Sequence, residues 1–571
     1  MHTASFSVTG LGLGLIIAAC SSTEAPNPGS QNGNAGSRAT TGGSTGVGGT
    51  GGASGGGAGR SGLDTGGGTS TGGGTSTGGM AGVNSTGGAS GSAGMGAGGG
   101  AGTLGGAGSG TAGGAGTGST FTPPRLVTSG PSGYWQTTAM PTESSGGTAD
   151  VTVNDSMPAQ TWDGMGGAFN ELGWSYLTTQ AMKDEALQLL FGEDGCHFAW
   201  GRIPIGASDY ATDRYTLDET ANDTSMAMFS IERDKQKLIP YVKAAQAVNP
   251  SLRFWASPWT PPTWMKSSPY QSPGNPVNAF DGGSMKSDAA TLQAHALYFV
   301  KFIAAYADQG IKIDYISPQN EPNYSQNYPS CIWSPTTFTT FINTYLGPAL
   351  DKANPTAQIM LGTMSNSNSN ADVAVANAVL ADAKAKAYSK VIGVQWGMSD
   401  ASQVNNLKSK GAGIPIWLTE HKCGGNPGAN VATAPNDIGY AKDSWGYIRD
   451  AVHNGLTAYN AWNMVLDKGG KGIDNTRVWA QNALLVADSG QITKTPAYYV
   501  FRHISEFVQP GAKVVSTTGS NDSLGFKNPD GSLVAVVYNS GSSAKSMTVA
   551  IGGKNLQFMV PATGWATVYS K

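Results

Sequence analysis

Between residues 160 and 465 short apolar runs alternate with amphipathic stretches, and this alternation constrains the chain more than any other feature. Eight runs read as strands: Trp162–Phe169, Phe198–Ile205, Arg253–Pro258, Ile313–Pro318, Gln358–Gly362, Val391–Trp396, Ile414–Thr419 and Leu456–Trp462. Between them lie helical patterns such as Thr179–Leu190, Arg233–Ala247, Ala289–Tyr306, Pro335–Ala353, Asp372–Ala385 and Asn436–His453. Strands alternating with helices form parallel βαβ units. Eight such units predict an α/β fold closed into a (β/α)8 TIM barrel. A doubly wound sheet is the alternative, but Gly164-Met165-Gly166-Gly167 does not open a helix as a dinucleotide fingerprint would.

After Tyr499 the period changes to two. Val514–Thr518, Ser523–Lys527, Ser532–Asn539, Ser546–Ile551, Leu556–Val560 and Trp565–Ser570 are short alternating runs, and Asn528-Pro529-Asp530-Gly531 marks a hairpin. These predict a C-terminal antiparallel β-sandwich. Some 60 residues bury too little core to stand alone, so the side domain is expected to pack on the barrel. It is also expected to recruit strands from the N-terminal side, such as Asp150–Asn154. The expected division is 121–160 for that segment, 161–500 for the barrel and 501–571 for the sandwich.

Residues 21–120 are almost entirely Gly, Ser, Thr and Ala from position 27 onward. Such a segment cannot bury enough surface to offset chain entropy and reads as a disordered tether. As a flexible coil it would span roughly 50 Å. Residues 1–20 read as an export signal, with a short apolar core from Leu11 to Ala19, too short to span a bilayer. Its end, Leu15-Ile16-Ile17-Ala18-Ala19-Cys20, has the form of a lipoprotein signal with Cys20 as the lipidated residue, although no Lys or Arg precedes it. The expectation is an exported protein, either secreted or held at the cell surface. Any membrane contact would then run through the Cys20 anchor alone.

Net charge is −3 and charged residues make up 12%, a balance that offers no nucleic-acid footprint. The six His show no metal spacing and no Cys-x-x-Cys occurs, so neither metal nor cofactor is expected. Cys331 lies ten residues after Glu321 and Cys423 three after Glu420. If both Glu converge on one site, those two Cys sit on neighbouring loops, and they are expected to pair and leave Cys196 free.

The fourth run ends in Gln319-Asn320-Glu321-Pro322 and the seventh in Thr419-Glu420-His421. Each is a buried-type strand with a Glu at its C-terminal end, where barrel enzymes keep their chemistry. Two carboxyl groups on separate strands are what glycosidic cleavage requires: one protonates the leaving oxygen and the other acts as nucleophile or base. All 14 Trp lie after the tether, and Trp faces stack well on sugars.

These motifs resemble glycoside hydrolase family 30, which includes glucosylceramidases, endo-β-1,6-glucanases and glucuronoxylanases. The resemblance rests on Gly164-Met-Gly-Gly-Ala-Phe-Asn-Glu171, Gly201-Arg-Ile-Pro-Ile-Gly-Ala-Ser-Asp209, Ser257-Pro-Trp-Thr-Pro-Pro-Thr-Trp-Met-Lys266, Gln319-Asn-Glu-Pro322, Trp417-Leu-Thr-Glu-His421, Trp462-Asn-Met-Val-Leu-Asp467 and Tyr498-Tyr-Val-Phe-Arg-His503. It implies Glu321 as acid/base and Glu420 as nucleophile of a retaining β-glycosidase. It also implies Asn320 as partner of the sugar 2-hydroxyl, and Asp209, Trp259 and Trp462 as walls of the reacting subsite. Trp264 and Trp333 are weaker candidates, with core or outer-subsite roles equally open, and Glu171 reads as a sugar ligand or a solvated loop residue. Gln395 and Trp396 are also expected to bind substrate, although Gln395-Trp396 stands where many members have His before the aromatic, and His421-Lys422-Cys423 departs from the animal glucosylceramidase pattern. The substrate expected is a polysaccharide or glycolipid β-glucoside, cleaved by a monomer. β-1,6-Galactan, glucuronoxylan and a non-catalytic sugar-binding lipoprotein are the alternatives.

Overall fold

The computed structural model describes residues 124–571, except 138, 268–277, 366–370, 397–400, 423–436 and 476–480. The signal, Cys20 and the tether therefore lie outside the described residues. Eight strands close a parallel barrel: β1 (Gly164–Ala168), β2 (Trp200–Pro204), β3 (Arg253–Ser257), β4 (Ile313–Ile316), β5 (Gln358–Met364), β6 (Ser389–Gln395), β7 (Ile416–Glu420) and β8 (Ala458–Asn463). Each pairs with the next, and β8 returns to β1. The strands match the eight predicted runs one for one.

Large side chains fill the lower barrel. Trp200, Trp255, Met360, Val391, Trp417 and Ala458 form one buried cluster. Trp200 and Trp417 meet edge to face at 4.6 Å. Their indole N–H groups both end on Asp163, at 2.8 Å to its carbonyl and 2.9 Å to its carboxylate, so the bulk of two Trp is buried without an orphaned donor. Side chains alternate along a strand, so Arg202 and Ser257, two residues beyond Trp200 and Trp255, point into the barrel one layer higher. Gly166 makes room for this filling: a Cβ there would lie 2.2 Å from the Trp200 carbonyl.

Helices surround the barrel. Ala289–Asp308 is capped by Asp288, and Ile438–His453 by Asp437. The stretch predicted as one helix over Pro335–Ala353 is three segments, with a π turn at Phe341–Leu346 between α segments. Pro348 follows two residues after Leu346; it has no N–H to continue the regular ladder, and a wider turn absorbs the break. Ala401–Gly411, between β6 and β7, is a helix that the sequence patterns did not single out; it buries only Val404, Leu407 and Gly411.

The side domain is a ten-stranded run of sheet folded back on itself around a shared core of Leu126, Val151, Val549, Phe558, Val568 and their neighbours. Strand Arg125–Gly130 pairs antiparallel with Gly564–Ser570. Strand Val151–Thr161 pairs antiparallel with Lys513–Thr518 and parallel with Lys545–Ile551, so the sheet is antiparallel except at this one neighbour. The helix Pro496–Ser505 continues past residue 500 and joins barrel to sheet: His503 Nδ1 lies 2.8 Å from Thr567 Oγ1.

Cys196 and Cys331 both stand as buried thiols; the expected pairing of Cys331 falls on Cys423, which lies outside the described residues. The Cys331 thiol turns back toward the Ile332 carbonyl at 3.6 Å, and burial pushes it up to about 12, with the Lys266 ammonium opposing.

Candidate active site

The chemistry-bearing residues gather at the C-terminal mouth of the barrel around Arg202. Arg202 is completely buried. Its Nη1 donates to Glu420 Oε2 at 2.5 Å, and its Nη2 donates to Asn320 Oδ1 at 2.6 Å and Ser257 Oγ at 3.1 Å. The guanidinium lies over Trp259 (4.2 Å), Trp255 (4.8 Å) and Trp462 (5.4 Å). Trp259 and Trp462 stack on each other at 5.2 Å. Aromatic faces favour a desolvated cation and leave its edge free for hydrogen bonds.

Burial lowers the Arg202 pKa, while Glu420 and then Glu321 and Asp209 act to raise it. All three carboxylates thus converge on one buried positive charge. Burial pushes Glu420 up to about 7; Arg202 opposes that, and Asp209 adds to it.

Asn320 Oδ1 accepts three hydrogen bonds, from Arg202, from Gln395 Nε2 at 2.7 Å and from Thr363 Oγ1 at 3.2 Å. Arg is a pure donor, so the oxygen of Asn320 must face it, and the amide NH2 is turned away from all three. Gln395, the last residue of β6, also approaches Glu420 Oε2 at 3.3 Å. The Trp396 backbone N–H donates to the Glu420 carbonyl at 3.3 Å.

Glu321 follows directly. It is buried, with φ of 47° in the left-handed region, which non-glycine residues seldom occupy. Its N–H donates to the Thr363 carbonyl at 3.0 Å, anchoring the turn to β5. The Tyr328 hydroxyl stands 3.5 Å from its Oε2. Asp209 is buried after β2, and its carbonyl receives the Ile473 N–H at 2.7 Å.

Three candidates have structural duties. Trp333 sits among His295, Phe338 and Phe341, and its indole donates to Gln319 Oε1 at 3.3 Å. Trp264 belongs to the turn Thr263–Met265, where its indole donates to the Asp218 carbonyl at 3.1 Å. Glu171 is neither solvated nor free for sugar. It is buried, ion-paired to Arg233, and accepts from Thr212 N at 2.9 Å and Thr212 Oγ1 at 3.0 Å.

Arg202, Gln319 and Lys266 received no role from the sequence. Arg202 carried a signal, as a lone charge inside an apolar strand run. Gln319 Nε2 donates to the carbonyls of Trp259 at 2.6 Å and Asn320 at 2.8 Å, fixing the β3 loop against the β4 end. The buried Lys266 ammonium donates to Thr260 Oγ1 and to the carbonyls of Phe280 and Ser330, tying together three loops. Burial lowers it to about 8.

A closed (β/α)8 barrel with buried carboxylates from separate strands around an Arg and stacked Trp at its mouth defines a barrel glycoside hydrolase. Residues 163–508 match the glycosyl hydrolase family 30 TIM-barrel domain and residues 511–568 its beta sandwich domain, and the chain belongs to that family. A Caenorhabditis elegans protein provisionally named glucosylceramidase 1 is 30% identical over 69% of this chain and 77% of its own. The endo-1,6-beta-D-glucanase neg1 of Aspergillus fumigatus is 26% identical over 71% and 84%. A solved endo-beta1,6-glucanase superposes with a TM-score of 0.68 at 24% identity, covering 78% of this chain and 98% of its own.

Proposed function

We propose that the protein is a retaining β-glycosidase acting on β-glucosides, with Glu420 as nucleophile and Glu321 as acid/base. The observation that carries this reading is Arg202 holding Glu420 and Asn320 with one guanidinium. A nucleophilic carboxylate in a buried site needs its ionised form favoured against desolvation, and a hydrogen-bonded Arg works in that direction. In the first step the Glu420 carboxylate attacks the anomeric carbon while protonated Glu321 gives its proton to the departing oxygen. In the second, Glu321 takes a proton from water, whose oxygen attacks the same carbon and releases Glu420. Asn320, with its NH2 turned from Arg202, would donate to the 2-hydroxyl. Trp259 and Trp462 would present apolar faces to the ring.

The β-glucoside choice is supported by relatives named as glucosylceramidase and endo-1,6-β-glucanase. The signal-like start and Cys20 support export and lipid anchoring, checked by mass spectrometry of the mature N-terminus. The deciding experiment is hydrolysis of pustulan, glucosylceramide, β-1,6-galactan and glucuronoxylan, with NMR of the first anomer released. Retention on a β-glucoside, lost by several orders of magnitude in Glu420→Gln, supports the reading. An inverted product, or full activity in Glu420→Gln, overturns it.

A further inference from the structure

The loop that follows Glu321 is pinned at both ends and in the middle. Near its start Asn323 Nδ2 donates to Ser365 Oγ at 3.0 Å, and the Ser365 N–H donates back to Asn323 Oδ1 at 3.1 Å. Its two ends meet where the Trp333 N–H donates to the Pro322 carbonyl at 2.8 Å. In the middle, Ser330 Oγ accepts from the N–H groups of Gln326 and Gly282, both at 3.0 Å, and donates to the Tyr328 carbonyl at 2.9 Å. The buried Lys266 ammonium holds the Ser330 carbonyl at 2.9 Å. The backbone is thus fixed around Tyr328, which turns back on the residue seven positions earlier. Tyr328 is buried, and its hydroxyl faces Glu321 Oε2 at 3.5 Å. Phe would fill the same volume, so packing explains the ring but not the hydroxyl. A phenol ordinarily keeps its proton at neutral pH, so toward a carboxylate it donates. At 3.5 Å the contact is longer than a full O–H···O hydrogen bond, and contacts between catalytic groups often tighten only in the substrate complex.

We propose that Tyr328 is a positioning residue for the acid/base: its hydroxyl holds the Glu321 carboxyl in place and favours its ionised form. This rests on the reading of Glu321 as acid/base. That group gives up its proton in the first step and stands as a carboxylate in the second. A hydrogen-bond donor on the carboxylate serves both steps, because it stabilises the form that remains once the proton has gone. A neutral donor suits the task. A Lys or Arg at this place would hold Glu321 ionised throughout and leave it no proton to give.

The test compares the full chain with Tyr328→Phe on alkyl, phenyl and 2,4-dinitrophenyl β-D-glucosides, reading kcat/KM against pH. The alkaline limb reports loss of the acid/base proton. Without the hydroxyl the ionised form is less favoured, so that limb should move to higher pH by about half a pH unit or more. At the pH optimum the alkyl glucoside should lose about tenfold. The 2,4-dinitrophenyl glucoside, whose leaving group needs no proton, should change little. An unmoved limb, or equal losses across the series, would make Tyr328 a packing residue and overturn the proposal. If Tyr328→Phe does not fold, Tyr328 is replaced by 3-fluorotyrosine, which keeps the shape and donates more strongly. The limb should then move to lower pH, and an unmoved limb overturns the proposal. Glu321→Gln separates the two readings. Full activity on the alkyl glucoside in that variant means Glu321 is not the acid/base, and both fail. Loss of that activity, with Tyr328→Phe behaving as the wild type, overturns this proposal alone. If the wild type cleaves another glycoside of the panel instead, the same leaving groups on that sugar decide Tyr328.

Discussion

Arg202 Nη1 stands 2.5 Å from Glu420 Oε2, with the guanidinium wholly closed off from solvent. Burial and the Arg pull the Glu420 pKa in opposite directions, burial upward and the Arg downward, and the balance lies at about 7. The acid limb of kcat/KM is expected to report this ionisation. Arg202→Met removes the opposing influence, so the acid limb should move to higher pH and kcat/KM at neutral pH should fall roughly 10²-fold or more. A pH–rate profile of both proteins checks the direction; an unmoved acid limb would show that another group sets it.

Gln319 is expected to act on the site without touching substrate. Trp333→Phe keeps the aromatic packing but leaves Gln319 Oε1 without its indole donor. A lost hydrogen bond of this kind costs about 1–3 kcal/mol when a buried acceptor is stranded. We expect Tm to drop by a few degrees and kcat to fall several-fold, because Gln319 also holds the Trp259 and Asn320 carbonyls. Trp333→Leu should be worse in Tm.

Three buried histidines make the protein acid-sensitive. Burial pushes His295, His421 and His503 each down to about 3. Their ordinary value is near 6.5, so the unfolded chain takes up protons below that pH while the folded protein does not. The stability they lend is complete above pH 6.5 and is lost as pH falls toward 3, at up to about 1.4 kcal/mol per unit for each. Asp234 and Glu420, raised by burial to about 6 and about 7, work in the opposite sense. His295→Phe is the cleanest check. Neither ring nitrogen of His295 has a hydrogen-bond partner among the described residues, and Phe299 and Phe341 surround it. The variant should show a flatter fall of Tm between pH 7 and 4.

Two glycines should respond oppositely to Ala. In Gly166→Ala the new methyl meets the Trp200 carbonyl and Asn460 Oδ1 within the barrel. Overpacking of this kind costs about 1–3 kcal/mol or more. Gly446, inside the helix Ile438–His453, has open space at its Cβ, and Ala there should stabilise by about 0.5–1 kcal/mol. Thermal unfolding of the two variants measures both signs.

The barrel was legible because each strand is a short apolar run bounded by polar residues, as in Lys312-Ile313 to Ser317. The helix Ala401–Gly411 was not, because its few apolar positions sit among Asn, Lys and Ser. Glu321 and Glu420 were legible from their place at strand ends. Arg202 and Gln319 were quoted inside motifs but given no task, since what they do depends on partners far off: 218 positions separate Arg202 from Glu420. Glu171 was misread because its partner, Arg233, comes 62 residues later.

The sheet topology bears on the order in which the chain can be completed. Strand Arg125–Gly130 needs Gly564–Ser570 as its neighbour, and Val151–Thr161 needs strands made after residue 512. The first described strands therefore wait on the ribosome for the last. Until then the apolar faces of Leu126 and Val151 have no partner. A chain stopped short of Gly564 would lose an interior strand of this sheet, while all eight barrel strands would already be made.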